Sequence, residues 1–326
     1  MKEKISIVVP MYNEEEVANE FYTRTTAVLK ELPYNYELII VNDGSRDKTL
    51  EIVLGFVDKD EHVKVINFSR NFGHQAAITA GIENAEGDAI ITIDADLQDP
   101  PEVMIDMIAE WQKGFDIVYA KRKSRKTDTF FKRFTANMYY KILNKLSDVK
   151  TPENVGDFRL ISKRVQEVFK KLPEKDRYIR GMFAWMGFKQ SIVEFDRQSR
   201  FAGETKYPLK KMLKLAFSGI IGFSTKPLQL IIKLGLLTTF ISFILLIYAI
   251  VVKIMGYTTS GWASLMVAIT FIGGIQLLSL GIVAEYIGKI YGEVKDRPVY
   301  IIMDKYSREN TKHTPKMIEK LKNVFK

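Results

Sequence analysis

Short apolar runs alternate with helical patterns along the first third of the chain. Residues 5–9 (ISIVV) read as a buried strand and 14–32 as a helix. The alternation continues with strand 37–41, helix 47–57, strand 63–68, helix 74–85, strand 89–93 (AIITI), helix 101–113 and strand 117–120. This alternation of strands and helices predicts an α/β fold with a mostly parallel sheet covered on both faces. In such sheets ligands sit beyond the carboxyl ends of the strands.

The pattern changes after Glu204. From Thr205 to Ala284 there is no acidic residue, and seven lysines occur. Residues 234–252 and 262–284 form two uncharged apolar runs of 19 and 23 residues. A bilayer core of about 30 Å needs roughly 20 helical residues, so each run is long enough to cross. Lysine and arginine crowd the outer flanks, which predicts both termini on the cytoplasmic side of the cell (inner) membrane. Met1–Lys4 leads straight into a strand, so no N-terminal signal peptide is expected. Residues 208–223 carry early lysines and apolar positions spaced by three and four, the pattern of a helix lying along an anionic leaflet. A second such helix is expected after Glu285. The resulting organisation is an α/β domain over 1–205, a juxtamembrane interfacial helix over 206–227, transmembrane helices over 228–252 and 262–287 joined by an external loop over 253–261, and a basic cytoplasmic tail over 288–326.

Composition narrows the chemistry. There is no cysteine, which excludes disulfides and any Cys-ligated zinc or iron–sulfur centre. A hydrophobic fraction of 47% with 20 Phe and 15 Tyr is not that of a disordered chain. The formal charge of +9 is concentrated, with seven basic residues against one acid in 121–133 and a second surplus in 206–233. Nothing in the first stretch resembles a groove-reading motif, so no nucleic-acid partner is expected.

Four strand ends carry polar clusters: Pro10–Glu14 (PMYNE), Asn42–Asp47 (NDGSRD), Ser69–His74 (SRNFGH) and Asp94–Glu102 (DADLQDPPE). Singly, each reads as turn or helix-cap chemistry. Together they mark one edge of one sheet. Asp94 and Asp96, at i and i+2 just beyond a strand, suit a shared hard cation such as Mg²⁺, which takes one or two carboxylates plus phosphate oxygens and water. The small Ala95 leaves room for a ligand, and Gln98 offers a further carbonyl oxygen. No Gly-x-Gly-x-x-Gly or Walker-type loop is present, so phosphate must be held by metal and basic side chains.

The series VVPMYNE, VNDGSRD, NFGH and DADLQDPPE resembles family 2 glycosyltransferases of the GT-A fold, and more narrowly the polyprenyl-phosphate glycosyltransferases, over roughly residues 5–300. The resemblance implies a catalytic GT-A domain that transfers a sugar from a nucleotide sugar, most simply UDP-glucose or UDP-N-acetylglucosamine, to polyprenyl (undecaprenyl) phosphate with inversion. It implies that Pro10, Tyr12, Glu14 and Asp43 hold the nucleoside. Asp94 and Ala95 then lie by the diphosphate, and Asp96 and Gln98, with Asp94, hold Mg²⁺ or Mn²⁺. Arg122, Arg125 and Arg133 fall where related mannose synthases contact the acceptor phosphate, and Arg200 and Lys206 where they can close over the diphosphate. Related bacterial enzymes form tetramers, which implies a homo-oligomer.

Asp157, in NVGDFRL, is read as lying between two helical stretches. An N-cap for the helix at 162–171 accounts for it by spacing, while the resemblance puts it in the active site as a positioning residue or a base, and both roles stay open. His74 reads as a structural neighbour of the site rather than a metal ligand. A processive glycan synthase is disfavoured by two spans and the absence of Gln-x-x-Arg-Trp. A non-catalytic scaffold is disfavoured by the retained carboxylates.

Overall fold

The computed structural model describes residues 2–123, 155–196, 224–256 and 261–308. Eight strands form one sheet: β1 (Lys4–Met11), β2 (Asn35–Asn42), β3 (Val63–Phe68), β4 (Ala89–Thr92), β5 (Ile117–Arg122), β6 (Val155–Ser162), β7 (Gln190–Phe195) and β8 (Ile302–Tyr306). Their order is β7-β5-β6-β4-β1-β2-β3-β8. The central run β4-β1-β2-β3 is parallel, as the alternation predicts. β6 pairs antiparallel with both β4 and β5, and β8 antiparallel with β3, so the sheet is mixed toward its sides.

Helices α1 (Ala18–Glu31), α2 (Thr49–Lys59), α3 (His74–Asn84) and α4 (Val103–Gln112) are the crossovers between parallel strands and cover the sheet on both faces. Strand alternation sorts the core. Ile5, Ile7 and Val9 of β1 pack with Phe21, Phe56 and Met104 on one face. Val8, Ile39 and Val41 pack on the other, against α3, α5 (Lys163–Lys171) and α6 (Ile179–Trp185). Each fully buried side chain of this kind contributes about 1.5–3 kcal/mol. Gly81 lets α3 lie directly on β1, because a Cβ there would stand 2.0 Å from Cγ1 of Val8.

Two long helices follow, α7 (Lys226–Ile254) and α8 (Trp262–Val294). Both are long and apolar enough to cross a membrane, and neither is buried against the rest of the protein. The Tyr286 hydroxyl donates to the Ser224 carbonyl at 2.6 Å, which closes the end of the hairpin nearest the sheet. Pro227 lies in the first turn of α7, where its missing N–H costs nothing.

Three expectations are corrected. Asp157 does not lie between helices: it sits inside β6, a strand buried along its whole length. No separate interfacial helix begins after Glu285, because α8 continues unbroken to Val294, seven residues beyond the expected end of the span. Part of the expected tail is β8, bonded to the sheet edge. The expected interfacial helix up to residue 223, most of the 253–261 loop and the tail from 309 lie outside the described residues, as do Arg125, Arg133, Arg200 and Lys206.

Candidate active site

The carboxyl ends of β1 and β2 stand side by side, with Pro10 opposite Val41 and Met11 opposite Asn42. Their loops are stapled together. The Asn13 N–H donates to the Ser45 hydroxyl at 3.0 Å, and the Arg46 N–H donates to Asn13 Oδ1 at 2.9 Å. Asn13 has φ of 53°, a left-handed conformation that Asn tolerates better than most residues. The Glu14 N–H donates to the Thr49 hydroxyl at 2.8 Å. Pro10, Tyr12 and Glu14 are thus held next to the 43–49 loop. Asp43 is buried, and its carboxylate accepts the N–H groups of Phe72 and Gly73 at 2.7 and 3.0 Å. Burial outweighs these donors and raises its pKa. Gly44 is required here: at φ of +63° a Cβ would stand 2.4 Å from the Arg70 backbone.

β4 ends in the Asp94-Ala95-Asp96 turn. The Gln98 N–H donates to Asp96 Oδ1 at 3.1 Å, and Leu97 adopts φ of 57° with its side chain anchored in the core. A left-handed leucine costs about 1–3 kcal/mol and persists only where surroundings enforce it. Asp94 and Asp96 precede this anchor, and both are only partly buried. Asp99 is buried just behind the turn and pairs with Arg122 at 3.2 Å. Of the three arginines expected at the acceptor phosphate, Arg122 is the one described, and its partner Asp99 ties it to the Asp94–Gln98 turn.

Asp157 faces the same edge from β6. Arg159 donates to it at 2.9 Å, and Arg180 of α6 donates through Nε and Nη2, both at 2.9 Å. His74 Nε2 lies 3.2 Å from Asp157 and 3.5 Å from Asp94, so one imidazole spans the two carboxylates. Burial would raise the Asp157 pKa, but Arg180, His74 and Arg159 hold it well below the usual carboxylate range. Asp94 shifts up, through burial and then the charges of Asp157 and Asp96, despite His74. Burial opposes a charge on His74, yet Asp94 and Asp157 raise its pKa to about 9. Arg159 is almost fully buried, and its Nε and Nη1 atoms make no hydrogen bond to protein. Its guanidinium lies 5.1 Å above the Phe183 ring.

Neither Arg159 nor Asp99 stands out in the sequence, and Arg180 does so only as the start of a longer matching segment. Arg159 is two residues from Asp157, and in a strand that spacing places both on one face. Once 155–162 is seen as a strand, the pair is legible. Arg180 opens the segment 180–187 (RGMFAWMG), which also fits the family resemblance, but nothing local ties it to Asp157, because α6 brings it there across 23 positions of chain.

A doubly covered α/β sheet with paired carboxylates at the end of β4, facing a buried aspartate on an antiparallel neighbour, defines a GT-A enzyme. Residues 6–169 match Glycosyl transferase family 2, and residues 226–290 match the GtrB C-terminal hairpin. The Bactoprenol glucosyl transferase of Shigella phage SfII is 46% identical over 301 residues, covering 92% of this chain and 97% of the relative. The Bacillus subtilis (strain 168) glycosyltransferase YkcC is 50% identical over 306 residues, 94% of this chain and 95% of the relative. Among solved structures, glucosyl-3-phosphoglycerate synthase from Mycobacterium tuberculosis superposes with a TM-score of 0.49 at 17% identity, over 67% of this chain and 76% of that one. The chain belongs to glycosyl transferase family 2, and it is a glycosyltransferase.

Proposed function

We propose that this enzyme transfers a sugar from a uridine nucleotide, UDP-glucose or UDP-N-acetylglucosamine, to polyprenyl (undecaprenyl) phosphate at the cytoplasmic face of the membrane. The observation that carries the reading is a single sheet edge holding the Asp94–Asp96 turn and the Asp157 cluster, in a chain that also carries the apolar pair α7 and α8. Relatives named bactoprenol glucosyl transferase, matching over nearly their whole length, support the lipid acceptor. In this reading α7 and α8 cross the bilayer, and both chain ends lie on the catalytic side.

Asp94, Asp96 and Gln98 present only oxygen ligands, which suits Mg²⁺ or Mn²⁺. Among the described residues no group of three or more His, Asp or Glu is placed to hold a cation. Two carboxylates and one amide oxygen leave positions for diphosphate oxygens and water. When bound, the cation supplies Lewis-acid stabilisation of charge on the leaving diphosphate. Pro10, Tyr12, Glu14 and Asp43 face the nucleoside in this reading, and Arg122 faces the acceptor phosphate.

An acceptor phosphate oxygen bonds to the anomeric carbon from the face opposite the diphosphate. The bond from that carbon to the diphosphate oxygen breaks, and its electron pair leaves with UDP. The acceptor is already anionic, so no proton must be removed. That suits Asp157, whose low pKa and three cationic partners make it a poor base and a good anchor for Arg180.

Purified protein, or membranes containing it, is given labelled UDP-sugars, undecaprenyl phosphate and Mg²⁺ or Mn²⁺. A lipid-extractable labelled product is expected with one donor above the others, and no such product with any sugar nucleotide would sink the reading. Asp96→Ala is expected to lose most turnover while membrane insertion persists. Full activity of that variant, or of the wild type in chelator, removes the metal assignment.

A further inference from the structure

The last turn of α8 touches the segment that joins α5 to α6. Glu293 accepts the backbone N–H of Lys175 with both carboxylate oxygens at 3.0 Å, and that of Asp176 at 3.1 Å. A carboxylate one residue from a helix C-terminus sits against the negative end of the helix dipole, so the helix itself gains nothing from it. Consecutive N–H groups converging on one carboxylate form charge-assisted bonds, which are stronger than neutral ones. Two ion pairs flank the contact: Lys175 with Asp296 at 2.9 Å, and Lys289 with Asp176 at 3.0 Å.

The contacted segment, residues 172–178, leads directly into α6. From the sheet side it is held by Arg177, which donates to the Leu172 and Glu174 carbonyls at 3.1 and 3.0 Å and to Glu83 at 2.8 Å. Immediately beyond it, the Ile179 N–H donates to Gln75 Oε1 at 3.2 Å, one residue from His74. Next comes Arg180, forked onto Asp157. A short chain of bonds thus runs from the end of a membrane-type helix to the carboxylate cluster.

We propose that Glu293 is a positioning residue for the transfer reaction: by holding the Lys175 and Asp176 amides it fixes the start of α6, and so keeps Arg180 seated on Asp157. The inference rests on the proposed reaction. Under it, the helix that spans the bilayer also sets the geometry of the site where a membrane-borne phosphate must meet the sugar. Small misplacements far from the reacting atoms are enough to slow a positioned reaction by about a hundredfold.

The test uses the full chain in detergent or lipid nanodiscs, with Glu293→Ala and Glu293→Gln. Glutamine keeps one acceptor oxygen for the loop. Glu293→Ala is expected to lower kcat/KM for undecaprenyl phosphate by about tenfold to a hundredfold. UDP affinity, measured by calorimetry, should stay within about twofold, because the residues assigned to the nucleoside lie on other loops. Hydrogen exchange across 175–182 should quicken in Glu293→Ala, and Glu293→Gln should recover most of both losses. Unchanged acceptor kinetics in Glu293→Ala, unchanged exchange, or a parallel fall in UDP affinity and turnover would each overturn the proposal. A wild type inert toward every lipid phosphate removes the proposed reaction instead, and the exchange arm still decides whether Glu293 holds α6.

Discussion

Asp157 shows how one side chain is defined by its neighbours. It is buried, with Arg159, Arg180 and His74 around it. Removing its charge leaves Arg159 as a buried cation without an anionic partner, and breaking a buried pair in this way costs about 3–5 kcal/mol. Arg180 is more accessible, and losing it leaves Asp157 with two cationic partners, so the cost should fall nearer 1 kcal/mol, as for exposed pairs. Asp157→Asn is therefore expected to lower the thermal midpoint clearly more than Arg180→Ala, while both reduce acceptor turnover. Unfolding followed by tryptophan fluorescence in detergent checks the order. Equal midpoints would show that Arg159 does not depend on Asp157 for its charge.

At the scale of elements, the contact of α3 with β1 is the most demanding. Gly81 faces Val8, whose branched side chain has little rotamer freedom to retreat. Gly81→Ala should destabilise by about 1–3 kcal/mol, the usual cost of overpacking a filled core. Val8→Ala in the same chain opens the space and should return part of that loss, a coupling expected of residues in direct contact. Additive losses in the double variant would mean that α3 shifts as a body. The parallel centre of the sheet was legible because β1 to β4 are predominantly apolar runs with helices between them. β6 was not, because it carries Gly156, Asp157 and Arg159 where a strand pattern would show apolar residues. Those residues are tolerated in a buried strand because they bond one another: Arg159 donates to the Gly156 carbonyl and to Asp157, and the Thr92 hydroxyl donates to the Asp157 carbonyl. The carboxylate turn at Asp94–Gln98 could be read directly, since its chemistry lies in adjacent residues. The cations that surround Asp157 come from α3, β6 and α6, and only the fold collects them.

For the whole molecule, the question is how a sheet and a membrane-type hairpin stay in register. At about 1.5 Å per residue, the 33 residues of α8 extend roughly 50 Å, well beyond a bilayer core of about 30 Å. The excess is the charged end that begins at Glu285 and carries Glu293. From there the chain returns to the sheet. Tyr300 stacks on Phe68 at 5.2 Å and its hydroxyl donates to Glu83, the carboxylate that also holds Arg177. The Ser69 N–H donates to the Ile301 carbonyl, and β8 then pairs with β3. β8 thus covers an edge that would otherwise present unpaired backbone groups, a known route to self-association. Ending the chain after Val299 removes the stacked ring, the Glu83 bond and the edge strand together. The truncated protein should keep both apolar helices, yet lose thermal stability and associate through β3 in a concentration-dependent way, read by light scattering on detergent-purified material. Restoring residues 300–308 alone should reverse both effects, because the strand and its anchor lie within them. If restoration required the chain beyond 308, edge protection would not be the work of β8.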